Sequence, residues 1–278
     1  MTALLAFAGS VVFGSADFVG GAVSRRAPGL WVAAYGQTLA FFFALPLVLL
    51  VGWDRLTAAD TGWSLASGAA GAVGLGIFYP AMARGMISIV APVTSVVGAS
   101  IPVAYGFIRG ERPGVVAVVG IALALTAVAI VSTSPGEGQE ISLAPIGASV
   151  AAGVCFGTAV VLFSRASDAG GLWPVAISRS TSGLGLILLA LVLSGREAPR
   201  SRFVIRACVA IGLLEAAGNA LLVRALQLGP VAIASVLVSL YPVTAVLLAT
   251  VVLGERLSPV RRSGVALALV AVVLISTG

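Results

Sequence analysis

Three charged residues lie deep inside long apolar stretches of this 278-residue chain: Asp17, Arg179 and Glu215. A charge at mid-bilayer costs at least ~2.5–3.5 kcal/mol on insertion scales, so each needs a partner or a task. Asn219 follows Glu215 by four residues and shares its helix face. Gln37, with Tyr35 and Thr38 beside it, and the hydroxyls of Tyr105 and Tyr241 add neutral polar groups. A carboxyl group in lipid has two uses. Desolvation disfavours its charged form, so it can exchange a proton. Ionised, it attracts a cation. One carboxylate serving both in turn gives proton-coupled antiport, and we read Asp17 and Glu215 as candidates. Arginine stays protonated, so Arg179 is suited to holding a carboxylate, either Glu215 or that of a substrate. Charges of both signs favour a zwitterionic, amino-acid-like substrate. The structural alternative is an ion pair that only locks helices together.

The composition excludes most catalysis. The chain has sixteen arginines, no lysine and no histidine. No Walker A loop exists without lysine, and no zincin helix or Ser-His-Asp triad without histidine. We expect no enzyme, metal or cofactor. Charged residues are 9% and hydrophobic residues 59%, against about 25% charged in a soluble domain, so the solvent must be largely lipid. Cys155 and Cys208 lie inside apolar stretches and read as small hydrophobes.

Roughly 20 apolar residues of helix cross a bilayer core. The chain holds ten such stretches, at 2–23, 30–52, 63–83, 88–108, 113–133, 142–164, 173–194, 203–226, 231–253 and 258–277. Glycine, proline or charge punctuates every break. The first stretch lacks a basic flank and is too long for a signal peptide, so we expect it to persist. The fold class is therefore an all-α integral membrane protein. Asp17 lies roughly 7 Å beyond the middle of its helix at 1.5 Å per residue, and Glu215 near the middle of its own. Arg179 lies on the other side of the midplane from Asp17 and within reach of Glu215. Pro92 and Pro102 in the fourth span, and Pro242 in the ninth, should bend their helices. Interrupted helices at matching places of two halves mark binding sites in transporters. Small residues at four-residue spacing, such as Gly68, Ala72 and Gly76, read as helix packing.

Shifted by 144 residues, the chain matches itself. Residues 71–133 lie over 215–277 without a gap, with Gly110-Glu111-Arg112 over Gly254-Glu255-Arg256. Phe13-Gly14-Ser15-Ala16 matches Phe156-Gly157-Thr158-Ala159 at nearly the same shift, and Gln37 is the partner of Arg179. Five helices per repeat is an odd number, so the second copy enters the membrane inverted. The boundaries read as a first repeat at 1–133, a linker at 134–141 and a second repeat at 142–278. Two halves of opposite orientation can pack in two mirror-related ways, which is the basis of alternating access. We read the Glu111-Arg112 and Glu255-Arg256 pairs as caps or interface anchors.

The ten spans, the two repeats and the recurring Gly-Glu-Arg resemble the drug/metabolite transporter superfamily, in its EamA branch. Phe13 to Phe18 is similar to the first helix of that branch, with Phe13 where Trp is usual. Tyr241-Pro242 also fits, whereas Val97-Gly98 departs from the pattern. The resemblance implies a secondary transporter and leaves the substrate open. It also implies both termini cytoplasmic. The arginine count favours both outside, because Arg25, Arg26, Arg84, Arg196 and others load the opposite breaks.

Our reading is an exporter of small metabolites in the inner membrane, plausible for amino-acid-like substrates and with protons as the coupling ion. Candidate ligands of the substrate are Tyr35, Gln37, Tyr105, Arg179, Asn219 and Tyr241. The alternatives are an exporter of cationic drugs or a lipid-linked sugar flippase component. Partners are the bilayer and the substrate, with no nucleic acid; monomer and homodimer both remain open.

Overall fold

The computed structural model describes residues 1–24, 26–83, 87–132, 143–166, 168–195, 198–253 and 258–277. Their regular structure is helical throughout. The elements are α1 (Thr2–Ser24), α2 (Gly29–Val51), α3 (Ala58–Ala83), α4 (Ile87–Ile108), α5 (Val115–Ser132), α6 (Leu143–Phe163), α7 (Trp173–Leu193), α8 (Arg202–Leu228), α9 (Val231–Val238), α10 (Tyr241–Leu253) and α11 (Pro259–Thr277). A helix satisfies all its backbone groups internally, which lipid demands. Among the described residues, six spans are long and apolar enough to cross a membrane, α9 and α10 counting together as one. Exposed Leu49, Leu50, Val192 and Val251 belong to the apolar exterior. The linker expected at 134–141 lies outside the described residues.

Two boundaries differ from the sequence reading. The third helix begins at Ala58 rather than near 63. Thr57 and Asp60 form a reciprocal cap: the Thr57 N–H donates to the Asp60 carboxylate at 3.0 Å, and the Asp60 N–H donates to Thr57 Oγ1 at 3.1 Å. The ninth span is two helices, interrupted at Ser239 and Leu240. Pro242 is the second residue of α10, not a kink within a helix. A first-turn N–H has no intrahelical acceptor, so proline is accepted there. By contrast α4 keeps helical backbone across Pro92 and Pro102.

The packing follows the repeat. Exchanging α1–α5 with α6, α7, α8, α9–α10 and α11 maps the main contacts onto one another. The α1–α8 contact corresponds to α6–α3, α2–α8 to α7–α3, and α4–α6 to the packing of α9 and α10 on α1. The contacts α2–α7 and α5–α11 map onto themselves. Glycines mark equivalent crossings. A Cβ on Gly68 would strike the Ser178 carbonyl and Thr181 of α7, and one on Gly212 would meet Leu39 and Ala40 of α2. Likewise Gly14 approaches Tyr241 and Thr244 of α10, while Gly157 approaches Gly98 and Ile101 of α4. Only a bare Cα allows such approach.

Candidate substrate and coupling site at the repeat interface

The α2–α7 crossing brings Gln37 and Arg179 together. Arg179 Nη1 donates to Gln37 Oε1 at 2.6 Å, and Nη2 donates to Ser178 Oγ at 3.1 Å. The Ser182 hydroxyl donates to the same Gln37 oxygen at 3.1 Å. Arg179 Nη1 lies 3.6 Å from Glu215 Oε2. Asn219 Nδ2 donates to that carboxylate oxygen at 3.2 Å, and Gln37 lies within electrostatic range of the carboxylate. The Arg179 guanidinium lies 6.0 Å from the Phe163 ring centroid. Its Nε is buried without an acceptor among the described residues. The side chains of Arg179 and Glu215 are only 10% and 16% exposed, so charge and counter-charge are largely removed from solvent together.

Asp17 differs in exposure and in partners. It is exposed, and among the described residues it has no hydrogen bond or ion pair. Helix phase shows where it points. Gly14 faces Tyr241 and Thr244 of α10, and Phe13 and Gly20 face Gly218 and Ile211 of α8. At about 100° per residue, Asp17 points midway between those two neighbours. Exposed Leu4, Val11 and Ala22 share a stripe about 130° away, so the lipid-like face of α1 is elsewhere. Asp17 therefore enters a cleft between α1, α8 and α10, within electrostatic range of Glu215 and Tyr241. Towards the C-terminal end of α1 the cleft is open, since Gly21 is exposed and a Cβ there would meet nothing. Towards the amino terminus it is packed, with Gly9 against Val238 and Leu221 and with Ala6 and Ser10 fully buried.

The register of the antiparallel α1–α8 pair sets Asp17 level with Glu215, because Phe13 lies against Gly218 and Gly20 against Ile211. The depth offset expected from the sequence is absent. Counting from the end of each apolar run ignores how far α8 overhangs its neighbour. Both acids also share a frame: Gly14 and Gly20 flank Asp17 at three residues, and Gly212 and Gly218 flank Glu215 likewise. That spacing was a readable signal, and it puts each acid in a seam between two closely packed helices.

Of the remaining candidates, Tyr241 borders the cleft and shares a hydrogen bond of 3.1 Å with Ser95 of α4. Tyr35 is turned away from Gln37, its hydroxyl 3.5 Å from the Pro199 carbonyl. Two residues along a helix is about 200° of rotation, so the neighbours could not share a face. Tyr105 lies in the last turn of α4 and accepts from Arg165 Nη1 at 3.4 Å, remote from the central cluster. Pro102 is buried in α4. Sequence reasoning missed Ser182, one turn beyond Arg179 on the same face, and Ser95, the repeat partner of Ser239. Glu111 is a cap: its carboxylate accepts from the backbone N–H groups of Val231 and Ala232 at 2.6 and 3.0 Å. Glu255 lies outside the described residues.

The comparisons agree with this architecture. One solved structure, described only as "Crystal structure of protein", superposes with a TM-score of 0.83 over 99% of this chain and 98% of its own, at 16% identity. At that identity the likeness concerns the fold alone. No curated protein matches the sequence. The model of the EamA-like transporter family matches twice, over residues 1–133 and again over 144–277. The chain belongs to the EamA-like transporter family, whose members are multi-pass membrane transporters of small molecules.

Proposed function

We propose that this transporter exports a small amine-bearing metabolite across the inner membrane by alternating access, with Asp17 binding the amine and a proton in turn. One observation carries the reading: Asp17 is accessible and, among the described residues, has no hydrogen bond or ion pair, whereas Glu215 beside it is held by Arg179 and Asn219. A carboxylate without a counter-ion attracts either a proton or a cation. Competition for one group couples the two fluxes. Glu215 serves to neutralise Arg179.

The engagement of Arg179 bears on the substrate. Its forward nitrogens are occupied by Gln37, Ser178 and Glu215. A zwitterion therefore finds an anchor for its amine at Asp17 and none for its carboxylate at Arg179 in this arrangement. That favours organic cations within the amine-bearing class. Tyr241 supplies a hydroxyl and a ring face at the cleft wall.

The test is counterflow in proteoliposomes carrying a pH-sensitive dye, screened with amino acids, amines and quaternary cations. We expect amines to drive proton movement in the wild type and Asp17→Asn to abolish it. Undiminished proton movement in Asp17→Asn would overturn the role of that carboxylate. Transport confined to anions would overturn the substrate class.

A further inference from the structure

A second charged cavity lies at the other end of the bundle. It is an open pocket of about 430 Å³, lined by Tyr105, Arg109, Glu111, Ser164, Arg165 and Val231. The last turn of α4 and the loop after it bring Tyr105, Arg109 and Glu111, while the end of α6 brings Ser164 and Arg165. This is the mouth opposite the opening of the Asp17 cleft, since α4 and α6 end where α1 begins.

The charges here do not cancel. Glu111 is occupied by the first two N–H groups of α9, which answer its charge as a helix N-terminus does. Arg109 and Arg165 have no acidic partner among the described residues. Arg165 is also held in place. Its guanidinium lies 5.3 Å from the Trp63 ring centroid and donates to the Tyr105 hydroxyl at 3.4 Å. A stacked, hydrogen-bonded guanidinium is pre-organised for planar recognition of an oxyanion. Trp and Tyr at helix ends mark the depth of the headgroup layer, where phosphate is abundant.

We infer that this cavity is a binding site for a phosphate group, held between Arg109 and Arg165. Two sources share that chemistry: the headgroup of an anionic lipid and a soluble phosphate ester. The cavity has the volume for the group, two uncompensated cations to hold it and an aromatic wall that fixes one of them. The Glu111 carboxylate, which faces the same space, is kept off the arginines by the α9 backbone.

The probes are inorganic phosphate, glycerol 3-phosphate, dihexanoyl phosphatidylglycerol and, as the phosphate-free comparator, dihexanoylglycerol. Each is titrated against the full-length protein in neutral detergent, with melting temperature as the readout. We expect a saturable rise with the phosphate-bearing probes and none with dihexanoylglycerol. A rise with phosphatidylglycerol alone assigns the lipid source, and a rise with all three assigns the soluble one. Arg109→Gln and Arg165→Gln should each weaken binding about fivefold, the equivalent of about 1 kcal/mol per arginine near a membrane surface. Both side chains are exposed, so the variants should fold, and melting without ligand checks that they do. An undiminished affinity in the double variant, or no saturable rise with any phosphate probe, would overturn the site.

Discussion

Asp17 and Glu215 face one another across antiparallel helices, at the same level and with the same flanking glycines, yet they sit in opposite chemical situations. Glu215 looks into the seam between α1 and α2, where Gln37 and the α7 arginine meet it. Asp17 looks into the seam between α8 and α10, where no cation or donor among the described residues answers it. The neighbouring helix therefore decides what an acid in lipid does. With a partner it is mortar, and without one it is, on the proposed function, open to a proton or a cation.

That contrast can be broken by substitution, most severely at Glu215. Glu215→Gln strands a buried guanidinium, and losing one partner of a buried pair costs roughly 3–5 kcal/mol. Melting in detergent should fall sharply, and equal stability to wild type would show that Gln37 alone satisfies Arg179. Gly14→Ala comes next. Its Cβ would collide with the Tyr241 carbonyl and with Thr244 at 2.6 Å, and overpacking of this kind costs about 1–3 kcal/mol. The change forces α1 from α10 and so disturbs the Asp17 side alone. Chemical denaturation measures the loss, and faster labelling of a cysteine introduced at Gly21 would report the widened seam. Tyr241→Phe removes the bond to Ser95 and should cost about 1 kcal/mol, read in the same melts. Asp17→Asn should have the smallest effect on melting, within about 0.5 kcal/mol, because no partner is lost. A large destabilisation there would reveal a structural role and erase the distinction between the two acids.

Much of this was legible in the sequence. Every span ends in glycine, proline or charge, so the helices could be counted, and the charged tripeptide exposed the repeat. The cost of burying charge singled out Asp17, Arg179 and Glu215 and made the Arg179–Glu215 approach foreseeable. What could not be read was direction around each helix. Tyr35 and Gln37 are neighbours in sequence and face different elements. The status of Asp17 was equally hidden, because an absent partner is a property of α8 and α10 rather than of α1. The interruption of the ninth span fell before Pro242, since proline there begins a helix whose N–H groups are free anyway.

The repeat-exchanging symmetry has a mechanical side. Under the proposed alternating access, the contacts that map onto themselves, α2–α7 and α5–α11, keep the same neighbours in both packings, which makes them the fulcrum of that movement and the remaining contacts its levers. The Gln37–Arg179 bond joins symmetry partners and lies on that fulcrum. The levers are not chemically alike. Asp17 lies in the α8–α10 seam and Glu215 in the neighbouring α1–α2 seam, whereas the equivalent positions in the other half are Val160 and Gly71. The two carboxylates therefore have uncharged positions as their counterparts in the symmetry-related half.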